Sequence, residues 1–290
     1  NDLPIIDLTT VTVTGAIPVQ KHPKASSFNV CLNTLSVIGG EDRPWLQVMD
    51  AQAWTIKTSY AFEQKLKDIK VHPYLNTAIM AGKGGLTIQD LPNPVPELIS
   101  LSPDNTLRGG TAFSFTLTGK GLLSTTEIDL NGAKTDTTFL SCGSIKAAVP
   151  DTYLLTAGNI EIKAVNPAPD GGPSNLLYLN VNNPVPIIAA LQPTQATAGT
   201  PGLTLNVLGA GFFADTTVYI NNAPRAFTLI NQTQLQIALT PADLEVGGYL
   251  DITASNFQPG GGISAPARFT VLNPVPTLTA IDPTTIKANS

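Results

Sequence analysis

The tetrapeptide Asn-Pro-Val-Pro occurs three times in this chain at a constant spacing. It occupies residues 93–96, 183–186 and 273–276, so 90 residues separate each occurrence from the next. When residues 93–182 are laid over 183–272 without a gap, the glycines and the apolar residues fall into register along the whole length. The chain is therefore predicted to contain tandem copies of one folding unit.

Apolar and polar residues alternate within each copy. A period of two is typical of a β-strand with one buried face, and turn residues follow every 8–12 residues or so. About seven strands in 90 residues predict a compact β-sandwich. The aligned apolar sets are Phe113, Phe115 and Leu117 with Leu203, Leu205 and Val207; Ile128 and Leu130 with Val218 and Ile220; Ile145 with Leu235; and Ile160 and Ile162 with Leu250 and Ile252.

Tight turns are predicted at two aligned positions, where Asn131 precedes Gly132 and Asn221 precedes Asn222. These residue types tolerate the positive φ of a short hairpin turn. A glycine-rich loop, "VNPAPDGGPSN" at 165–175 and "SNFQPGGGISA" at 255–265, precedes the last predicted strand of each copy.

The order of these motifs resembles the immunoglobulin-like repeats of the bacterial IPT/TIG family. The resemblance rests on NPxP, a strand ending in "SP" or "QP", "LTGKG" or "VLGAGFF", a "VYIN"-type strand and the glycine-rich loop. It covers 93–272 and the opening of a third copy at 273–290, and it implies tandem immunoglobulin-like sandwiches. The first copy departs from the second at Leu122 and Leu123, which align with Phe212 and Phe213, and at Cys142, which aligns with Gln232.

The repeated tetrapeptide is predicted to be a stiff joint between domains. Its prolines fix φ and remove backbone donors, and the residues before them are driven to extended conformations. A joint of constant length without glycine is expected to hold successive domains at a repeated angle, as in a semi-rigid rod, without contacting a ligand. The predicted joint residues are Asn93, Pro94, Val95, Pro96, Asn183, Pro184, Val185, Pro186, Asn273, Pro274, Val275 and Pro276.

Residues 1–92 carry a shorter repeat. The pentapeptides "LPIID", "LQVMD" and "LTIQD" end at Asp7, Asp50 and Asp90, at separations of 43 and 40 residues. A period of about 40–45 residues with several short strands is typical of propeller blades, and this run resembles the YVTN-type repeats of surface proteins. About two blades are predicted. The missing blades lie upstream in a longer parent or are supplied by another chain, and the upstream position is favoured because the chain starts within a blade. An open blade edge would invite strand addition and self-association.

The termini suggest a piece of a longer protein. The chain does not start with Met, begins within a strand-like run and stops 18 residues into the third copy. We therefore expect four segments: a partial propeller-blade region at 1–92, sandwiches at 93–182 and 183–272, and the start of a truncated repeat at 273–290.

Composition restricts the class of partner. Only 13% of the residues are charged, and the net charge is −5, so the chain lacks the basic field that binds nucleic acid or an anionic membrane. No apolar run approaches the ~20 residues of a membrane span. Glycine and proline are abundant, with 24 of each, and long charged helix formers are few. The predicted fold class is all-β, with tandem sandwiches following a partial propeller.

Few residues suit catalysis or metal binding. The only histidines, His22 and His72, each precede a proline and are interpreted as turn residues in similar positions before strands of the short repeat. A metal site would need further ligands nearby, which the local sequence lacks. Two carboxylate pairs, Glu41 with Asp42 and Glu63 with Asp68, are interpreted as solvated. We predict no enzyme, no cofactor, and no catalytic or metal-ligating residue.

Three further motifs contain residue types that occur in binding sites. Asp170 in the glycine-rich loop is a weak calcium candidate, because the second copy has Gly260 there. Gly82, Gly84 and Gly85 precede a strand, so they are predicted to form a turn, not a phosphate cradle. Five aromatic residues could form a sugar platform, but the Phe pair is interpreted as core filling. The set comprises Trp45, Trp54, Phe212, Phe213 and Tyr219.

The two cysteines, Cys31 and Cys142, lie in different predicted domains. A lone pair so placed matches neither a CxxC metal pattern nor a disulfide framework, so two free thiols are expected.

Two functions remain open. The first is a non-catalytic extracellular or cell-surface repeat protein, acting as a structural spacer, an adhesive stalk, or a component of a fibre or surface layer. The alternative is a carbohydrate-binding accessory region of a secreted polysaccharide-active protein, which would need an exposed aromatic row. A DNA-binding transcription-factor domain is disfavoured by the negative charge. Protein partners, self-association through strand edges, or glycans are the expected partners.

Overall fold

The computed structural model describes residues 2–7, 12–280 and 282. These residues form an all-β protein of 29 strands and two short 3₁₀ helices. They divide into two compact units. The first unit covers the described residues within 1–106, 110–155 and 159–180, and the second covers those within 107–109, 156–158 and 181–290.

The N-terminal part of the first unit consists of three antiparallel sheets in which strands adjacent in sequence pair in order. Sheet I contains β1 (Asp2–Asp7) and β2 (Thr12–Pro18). Sheet II contains β3 (Pro23–Asn29), β4 (Thr34–Gly39), β5 (Trp45–Asp50) and β6 (Ile56–Ala61). Sheet III contains β7 (Leu66–His72), β8 (Thr77–Gly82) and β9 (Gly85–Asp90).

The short sequence repeat corresponds to this succession of sheets. The three repeated aspartates, Asp7, Asp50 and Asp90, are the last residues of β1, β5 and β9. One apolar cluster joins sheet I to sheet II, and another joins sheet II to sheet III. The described residues form no closed ring of sheets, so the propeller remains a prediction.

Two sandwiches follow, and each is built from two antiparallel-rich sheets. The first contains β10 (Glu97–Ser102), β11 (Asn105–Leu107), β12 (Phe113–Lys120), β13 (Glu127–Leu130), β14 (Ala133–Thr135), β15 (Thr137–Ser141), β16 (Ser144–Val149), β17 (Gly158–Asn166), β18 (Gly172–Pro173) and β19 (Leu177–Asn182), with a 3₁₀ helix at Asp151–Leu154. One sheet has the order β10-β12-β16-β15. The other has the order β11-β19-β17-β13-β14, with β18 paired to β17.

The second sandwich repeats this order strand for strand. It contains β20 (Ile187–Gln192), β21 (Gln195–Thr197), β22 (Leu203–Ala210), β23 (Thr217–Ile220), β24 (Ala223–Arg225), β25 (Phe227–Asn231), β26 (Gln234–Leu239), β27 (Gly248–Asn256), β28 (Gly262–Ile263) and β29 (Ala267–Leu272), with a 3₁₀ helix at Pro241–Leu244. Its sheets have the orders β20-β22-β26-β25 and β21-β29-β27-β23-β24, with β28 paired to β27.

Each sandwich has ten strands, so the predicted number of about seven was too low. The three additional strands in each copy are pieces of two or three residues, β11, β14 and β18 in the first. In both copies a proline, Pro103 or Pro193, separates the first strand from the short strand that joins the opposite sheet. Proline has no N–H to continue a ladder, which favours such a division.

The predicted core residues are confirmed. The aligned apolar side chains of β12, β13, β16 and β17, and their counterparts in the second sandwich, are buried, apart from Phe113 and Leu203 at the strand starts, which are half-buried. Phe212 and Phe213 are buried like Leu122 and Leu123, as expected for core filling.

The predicted turns are also confirmed. Asn131 and Asn221 both have a φ of 49°, and the residues after them, Gly132 and Asn222, also have positive φ. Gly84 lies in the two-residue turn between Gly82 of β8 and Gly85 of β9, as expected for turn glycines.

The predicted third copy cannot be followed as a fold. Residues 273–280 contain no strand or helix, and residues 281 and 283–290 lie outside the described part of the chain.

Candidate functional site

Asn93 and Asn183, the first residues of the first two predicted joints, are buried, with exposures of 8% and 7%. Polar side chains at such exposures need hydrogen-bond partners. Both asparagines find theirs in the glycine-rich loop of the sandwich that follows them.

The first joint is fastened to this loop by three hydrogen bonds. The Asn93 N–H donates to the Pro169 carbonyl (2.8 Å), and the Gly171 N–H donates to the Asn93 carbonyl (2.9 Å). The Asn93 Nδ2 donates to the Pro167 carbonyl at 2.8 Å. Asn93 and Asp170 form an isolated parallel bridge.

The second joint has the same three bonds. The Asn183 N–H donates to Pro259 (2.8 Å), Gly261 donates to the Asn183 carbonyl (2.7 Å), and the Asn183 Nδ2 donates to Phe257 (3.0 Å). Gly260, which bridges to Asn183, has a φ of 68°, and its counterpart Asp170 has a φ of 54°. The position requires left-handed backbone, which accounts for both residue types without a metal.

A second asparagine in each sandwich holds the next residue of the joint. Asn166, at the end of β17, donates from Nδ2 to the Pro94 carbonyl (2.9 Å) and the Gly121 carbonyl (2.8 Å). Its Oδ1 accepts from the Thr126 hydroxyl at 2.5 Å. Asn166 is only 2% exposed. The first two residues of the joint are therefore built into the sandwich that follows.

The same arrangement recurs around Asn256, which is 5% exposed. Its Nδ2 donates to Pro184 and Gly211, both at 2.8 Å, and its Oδ1 accepts from the Thr216 hydroxyl at 2.7 Å.

The remaining joint residues differ in exposure. Pro96 and Pro186 are buried, whereas Val95 and Val185 are 60% and 50% exposed. In the third joint, Asn273, Pro274, Val275 and Pro276 are all exposed.

The side-chain oxygens of both buried joint asparagines accept hydrogen bonds from outside the glycine-rich loop. Asn93 Oδ1 accepts from Asn76 Nδ2 at 3.3 Å. Asn183 Oδ1 accepts from Arg108 Nη1 at 3.2 Å.

Arg108 belongs to the second unit and has two further contacts there. Its Nη1 lies 2.9 Å from both carboxylate oxygens of Asp215, and its guanidinium lies 4.1 Å from the centroid of the Phe213 ring. Guanidinium groups commonly combine a carboxylate with an aromatic face in this way. The first sandwich has Leu123 and Thr125 at the equivalent positions, so this cluster is not repeated.

Within the first unit, buried amides connect the first joint to sheet II. Asn76 also donates to the Pro92 carbonyl at 2.9 Å, and its Oδ1 accepts from Asn29 Nδ2 at 3.4 Å. Asn29 Oδ1 in turn accepts from the Cys31 N–H at 3.0 Å. A row of three amides, Asn29, Asn76 and Asn93, thus runs from sheet II to the first sandwich.

A disulfide joins Cys31 to Cys142, with the two Cα atoms 5.3 Å apart. The expectation of two free thiols was therefore wrong. That expectation assumed that the cysteines lay in separate domains, whereas the N-terminal sheets and the first sandwich form one compact unit. This brings the loop after β3 next to the turn between β15 and β16.

Tyr74, in the turn between β7 and β8, forms another contact between the N-terminal sheets and the first sandwich. The N–H and hydroxyl of Ser124 both donate to the Tyr74 carbonyl, at 2.9 and 3.0 Å. The Tyr74 ring lies 5.3 Å from the ring of Phe139. The cross-link, the amide row and Tyr74 thus join the same two parts.

A pocket of about 280 Å³ lies beside the first joint. Among the described residues that line it, none is aromatic, and the charged ones are Lys57 and Asp170. Lys57 pairs with Asp50 at 3.2 Å. The N–H groups of Ala53 and Gln52, together with Lys57, hold the pKa of Asp50 below its ordinary value, so this carboxylate is ionised and serves to close the turn after β5.

The remaining candidates from the sequence are the two histidines and the aromatic residues. His22 precedes β3, whereas His72 is the last residue of β7 and accepts from the Leu75 N–H at 3.2 Å, so their predicted equivalence was wrong. Trp45 and both members of the Phe pair are buried, whereas Trp54 is 37% exposed, so these residues do not form the aromatic row that sugar binding would need.

The described residues lack both a metal-binding cluster and a membrane-spanning helix. Within 2–7, 12–280 and 282, no three His, Cys, Asp or Glu side chains are grouped so as to hold a metal ion. In the same residues, no helix has the length and apolar character to cross a membrane.

Asp243, in the 3₁₀ helix of the second sandwich, is a carboxylate bonded to both Thr240 and Arg225. Burial opposes its ionised form, but the hydroxyl and N–H of Thr240 and the Arg225 guanidinium all donate to it and hold its pKa below the ordinary carboxyl value. The Arg225 Nη2 to Oδ1 distance is 2.7 Å, and the Thr240 N–H lies 2.7 Å from Oδ2.

Replacing this carboxylate should make the second unit less sensitive to acid. Because the folded pKa lies below the unfolded value, ionised Asp243 stabilises the fold above the ordinary carboxyl range, and this contribution is lost as the pH falls through the folded pKa. We expect Asp243→Asn to lower the free energy of unfolding at neutral pH, and the difference from the wild type to shrink in strong acid. Urea unfolding followed by circular dichroism measures both, with the exposed Glu245→Gln as control; a difference independent of pH would contradict the assignment.

Several residues of this site carried only a partial signal in the sequence. Asn166 and Asn256 align in the repeat, as do Thr126 and Thr216, but nothing local indicates that they bond to each other across 40 residues. Arg108 has no counterpart in the second copy, where Ala198 aligns with it, and that difference was the one available signal.

The comparisons with known proteins give a family for one part of the chain. Residues 186–271, which begin at the last residue of the second joint, match the family model of the IPT/TIG domain. The second sandwich is an IPT/TIG domain. The first sandwich has the same strand order as this IPT/TIG domain but is not covered by the match. No curated protein matches the chain.

Several solved structures match parts of the chain at low sequence identity and low TM-score. A Bacteroides ovatus mixed-linkage glucan utilization locus protein, SGBP-B, in complex with a mixed-linkage heptasaccharide, is 16% identical over 84% of this chain and 54% of that one, with a TM-score of 0.25. A chimeric titin Z1Z2 is 17% identical over 64% of this chain and 100% of that one, with a TM-score of 0.24. The plexin A4 extracellular region is 6% identical over 89% of this chain and 37% of that one, with a TM-score of 0.27. This chain thus spans about half of the length of SGBP-B and a smaller share of the plexin A4 extracellular region.

Proposed function

We propose that this chain is part of a non-catalytic, extracellular repeat protein in which the sandwiches act as structural spacers of a stalk, fibre or surface layer. The observation that carries the proposal is the recurrence of one anchoring pattern, in which Asn93 and Asn183 are each buried and bonded into the next sandwich. A linker that served only as a tether would not need such bonds.

The joints are proposed to keep neighbouring domains at a fixed angle. Two prolines and a buried asparagine leave few free dihedral angles between one sandwich and the next. The first sandwich is proposed to be an IPT/TIG domain as well, since it repeats the second strand for strand. Residues 1–92 are proposed to be propeller blades, with support from the succession of meander sheets joined by apolar clusters.

Small-angle X-ray scattering tests the spacer function. We expect the wild-type chain to give a narrow distribution of conformers, and replacement of residues 183–186 by Gly-Ser-Gly-Ser to broaden it. The matched control is Val185→Ser, which changes an exposed residue and keeps the asparagine and both prolines. Equal distributions for the wild type and the Gly-Ser variant would refute the spacer function.

The extracellular location is proposed because disulfides persist in oxidising compartments and are rare in the cytosol. Cysteine alkylation before and after reduction, on protein taken from its native cells, reports whether Cys31 and Cys142 are joined there. Full alkylation without reduction would place the chain in a reducing compartment.

Carbohydrate binding remains the second candidate. Tyr178, Tyr249 and Phe257 are the exposed aromatic residues of the sandwiches that this candidate would use. A glycan array probed with the whole chain decides this candidate, and a specific signal lost in Tyr249→Ala would favour it over the spacer.

A further inference from the structure

Sheets I, II and III pack in series, and the last strand of the repeat unit in each sheet carries an equivalent pair of apolar residues on the same side. We call the side of a sheet that packs on the next sheet its forward face and the opposite side its rear face. Leu3 and Ile5 on sheet I pack against the cluster that contains Val37 and Met49 of sheet II. Leu46 and Val48 on sheet II belong to the cluster that contains Ile69 and Met80 of sheet III.

These pairs have the same place in the short repeat. They are the first and third residues of "LPIID" and "LQVMD", so the third pair, from "LTIQD", is Leu86 and Ile88. On β9 this pair alternates with Thr87 and lies opposite Ala81 and Ile79 of β8. The forward face of sheet III is therefore made of Ile79, Ala81, Leu86 and Ile88, with Asp68 and Lys70 of β7 beside them.

This third forward face is uncovered. Leu46 and Val48 are 0% and 4% exposed, whereas Leu86 and Ile88 are 74% and 69% exposed, and Ile79 is 39% exposed. Neighbouring large apolar side chains at such exposures mark an interaction surface more often than a solvated one. Every other forward face in the series is covered by the rear face of a sheet of the same repeat.

The rear faces of sheets II and III are already used within the chain. Trp45 and Met49 on sheet II and Ala78 and Met80 on sheet III are buried. Sheet I alone, among the described sheets of this region, has an exposed rear face. Its described side chains there are Asp2, Pro4, Ala16 and Pro18, which pair across β1 and β2 in register.

We propose that the forward face of sheet III binds the rear face of sheet I of a second copy of this chain. This contact continues the series of sheets across two molecules, so each interface has the same order as the two interfaces inside the chain. Proline and alanine side chains offer a flat apolar surface to Leu86 and Ile88. On the forward face, Lys70 neighbours Ile79 and Asp68 neighbours Ala81, and of these two exposed residues Lys70 is opposite in charge to Asp2 on the rear face of sheet I.

The contact is heterologous, because the two surfaces that meet are different. Head-to-tail interfaces generate closed rings or open filaments, depending on whether the rotation closes. Self-association through sheet faces is thus distinct from pairing of strand edges, and it does not depend on the spacer function of the joints.

Sedimentation velocity over a range of concentrations tests the proposal with the whole chain. The wild type should form species larger than dimers as its concentration rises. Ile88→Asp places a charge on the forward face of sheet III, and Ala16→Glu places a charge on the rear face of sheet I. Each variant alone should weaken association at least about tenfold, because the contact would bury a charge without a partner. The control, Val246→Asp, changes a residue that is also 74% exposed but lies in the second unit, and should associate like the wild type.

Mixing the two variants separates the proposed contact from a symmetric one. In a heterologous contact the intact rear face of Ile88→Asp binds the intact forward face of Ala16→Glu, so the mixture should form dimers and no larger species. Monomeric wild type at all concentrations would overturn the proposal. The proposal would also be overturned if the wild type stopped at a dimer and a mixture of the two variants formed no dimer. That result would indicate that the forward faces of two molecules pack against each other. Unchanged circular dichroism and Trp45 fluorescence establish that each variant is folded.

Discussion

Loss of the disulfide between Cys31 and Cys142 is expected to lower the free energy of unfolding of the first unit by about 2–5 kcal/mol. The two cysteines are 111 residues apart in sequence, so the bond closes a long loop of the unfolded chain. In the chain-entropy description, a loop of roughly 100 residues corresponds to about 4.7 kcal/mol, and native disulfides commonly contribute somewhat less than this value.

Loss of the disulfide should also weaken the contact between the N-terminal sheets and the first sandwich, which the disulfide joins. Cys31 follows Asn29, whose amide begins the row that leads through Asn76 to Asn93. Without the covalent bond, the contact between the N-terminal sheets and the first sandwich depends on these amides and on Tyr74. We therefore expect the N-terminal sheets to open at a lower urea concentration than the sandwich in the reduced protein.

Tryptophan fluorescence measures this effect selectively. Both tryptophans, Trp45 and Trp54, lie in the first unit, and Trp45 is buried between sheets I and II. The urea midpoint of the fluorescence transition should fall in Cys31→Ala/Cys142→Ala and in wild type treated with reductant. The reductant should leave the double variant unchanged. An equal midpoint with and without the bond would show that the unfolded chain is not restrained by it.

The repeat predicted the sandwiches well because periodic burial is a local property of the sequence. Alternating residues such as Phe115 and Leu117 specify which side of a strand faces the core, and Asn131 specifies its turn through its own φ preference. The short strands β11, β14 and β18 were not predicted, because a run of two or three residues has no measurable hydrophobic period.

The site was less predictable because its contacts are distant in sequence. The pairing of Cys31 with Cys142 depends on how the N-terminal sheets lie against the first sandwich, which no local pattern encodes. The joints were predicted as stiff connections from their prolines, but the asparagine, whose backbone and side chain both bond to the glycine-rich loop, was given no role of its own. The repeat of Asn166 and Asn256 was visible, yet their partners lie 40, 45 and 72 residues away.

Asn166→Ala is expected to lower the free energy of unfolding of the first unit by about 3–5 kcal/mol. The substitution removes all three side-chain hydrogen bonds and leaves the carbonyls of Pro94 and Gly121 and the hydroxyl of Thr126 without this partner. Each buried group left unsatisfied costs about 1–3 kcal/mol, and the missing amide also leaves a cavity.

A variant of Thr126, the hydroxyl partner of Asn166, should show a smaller loss of stability than Asn166→Ala. Thr126→Val keeps the shape and removes one of the three bonds, so we expect about 1–2 kcal/mol. Asn159→Ala, an exposed asparagine of the same β17 strand, should change stability by no more than about 0.5 kcal/mol. Urea unfolding followed by circular dichroism and Trp45 fluorescence measures all three, and similar losses for Asn166→Ala and Asn159→Ala would contradict the assigned network.

Asn256→Ala in the IPT/TIG domain tests whether the network belongs to the repeat or to one copy. Its side chain bonds to Pro184, Gly211 and Thr216 at distances within about 0.2 Å of those around Asn166. The second unit contains no tryptophan, so its loss of stability should show in circular dichroism while the Trp45 transition stays in place. Comparable losses of unfolding free energy in both sandwiches would establish that one buried amide side chain holds the start of each joint against the sandwich that follows it. A large loss in one sandwich alone would mean that the other holds its joint through the Asn93- or Asn183-type contacts to the glycine-rich loop.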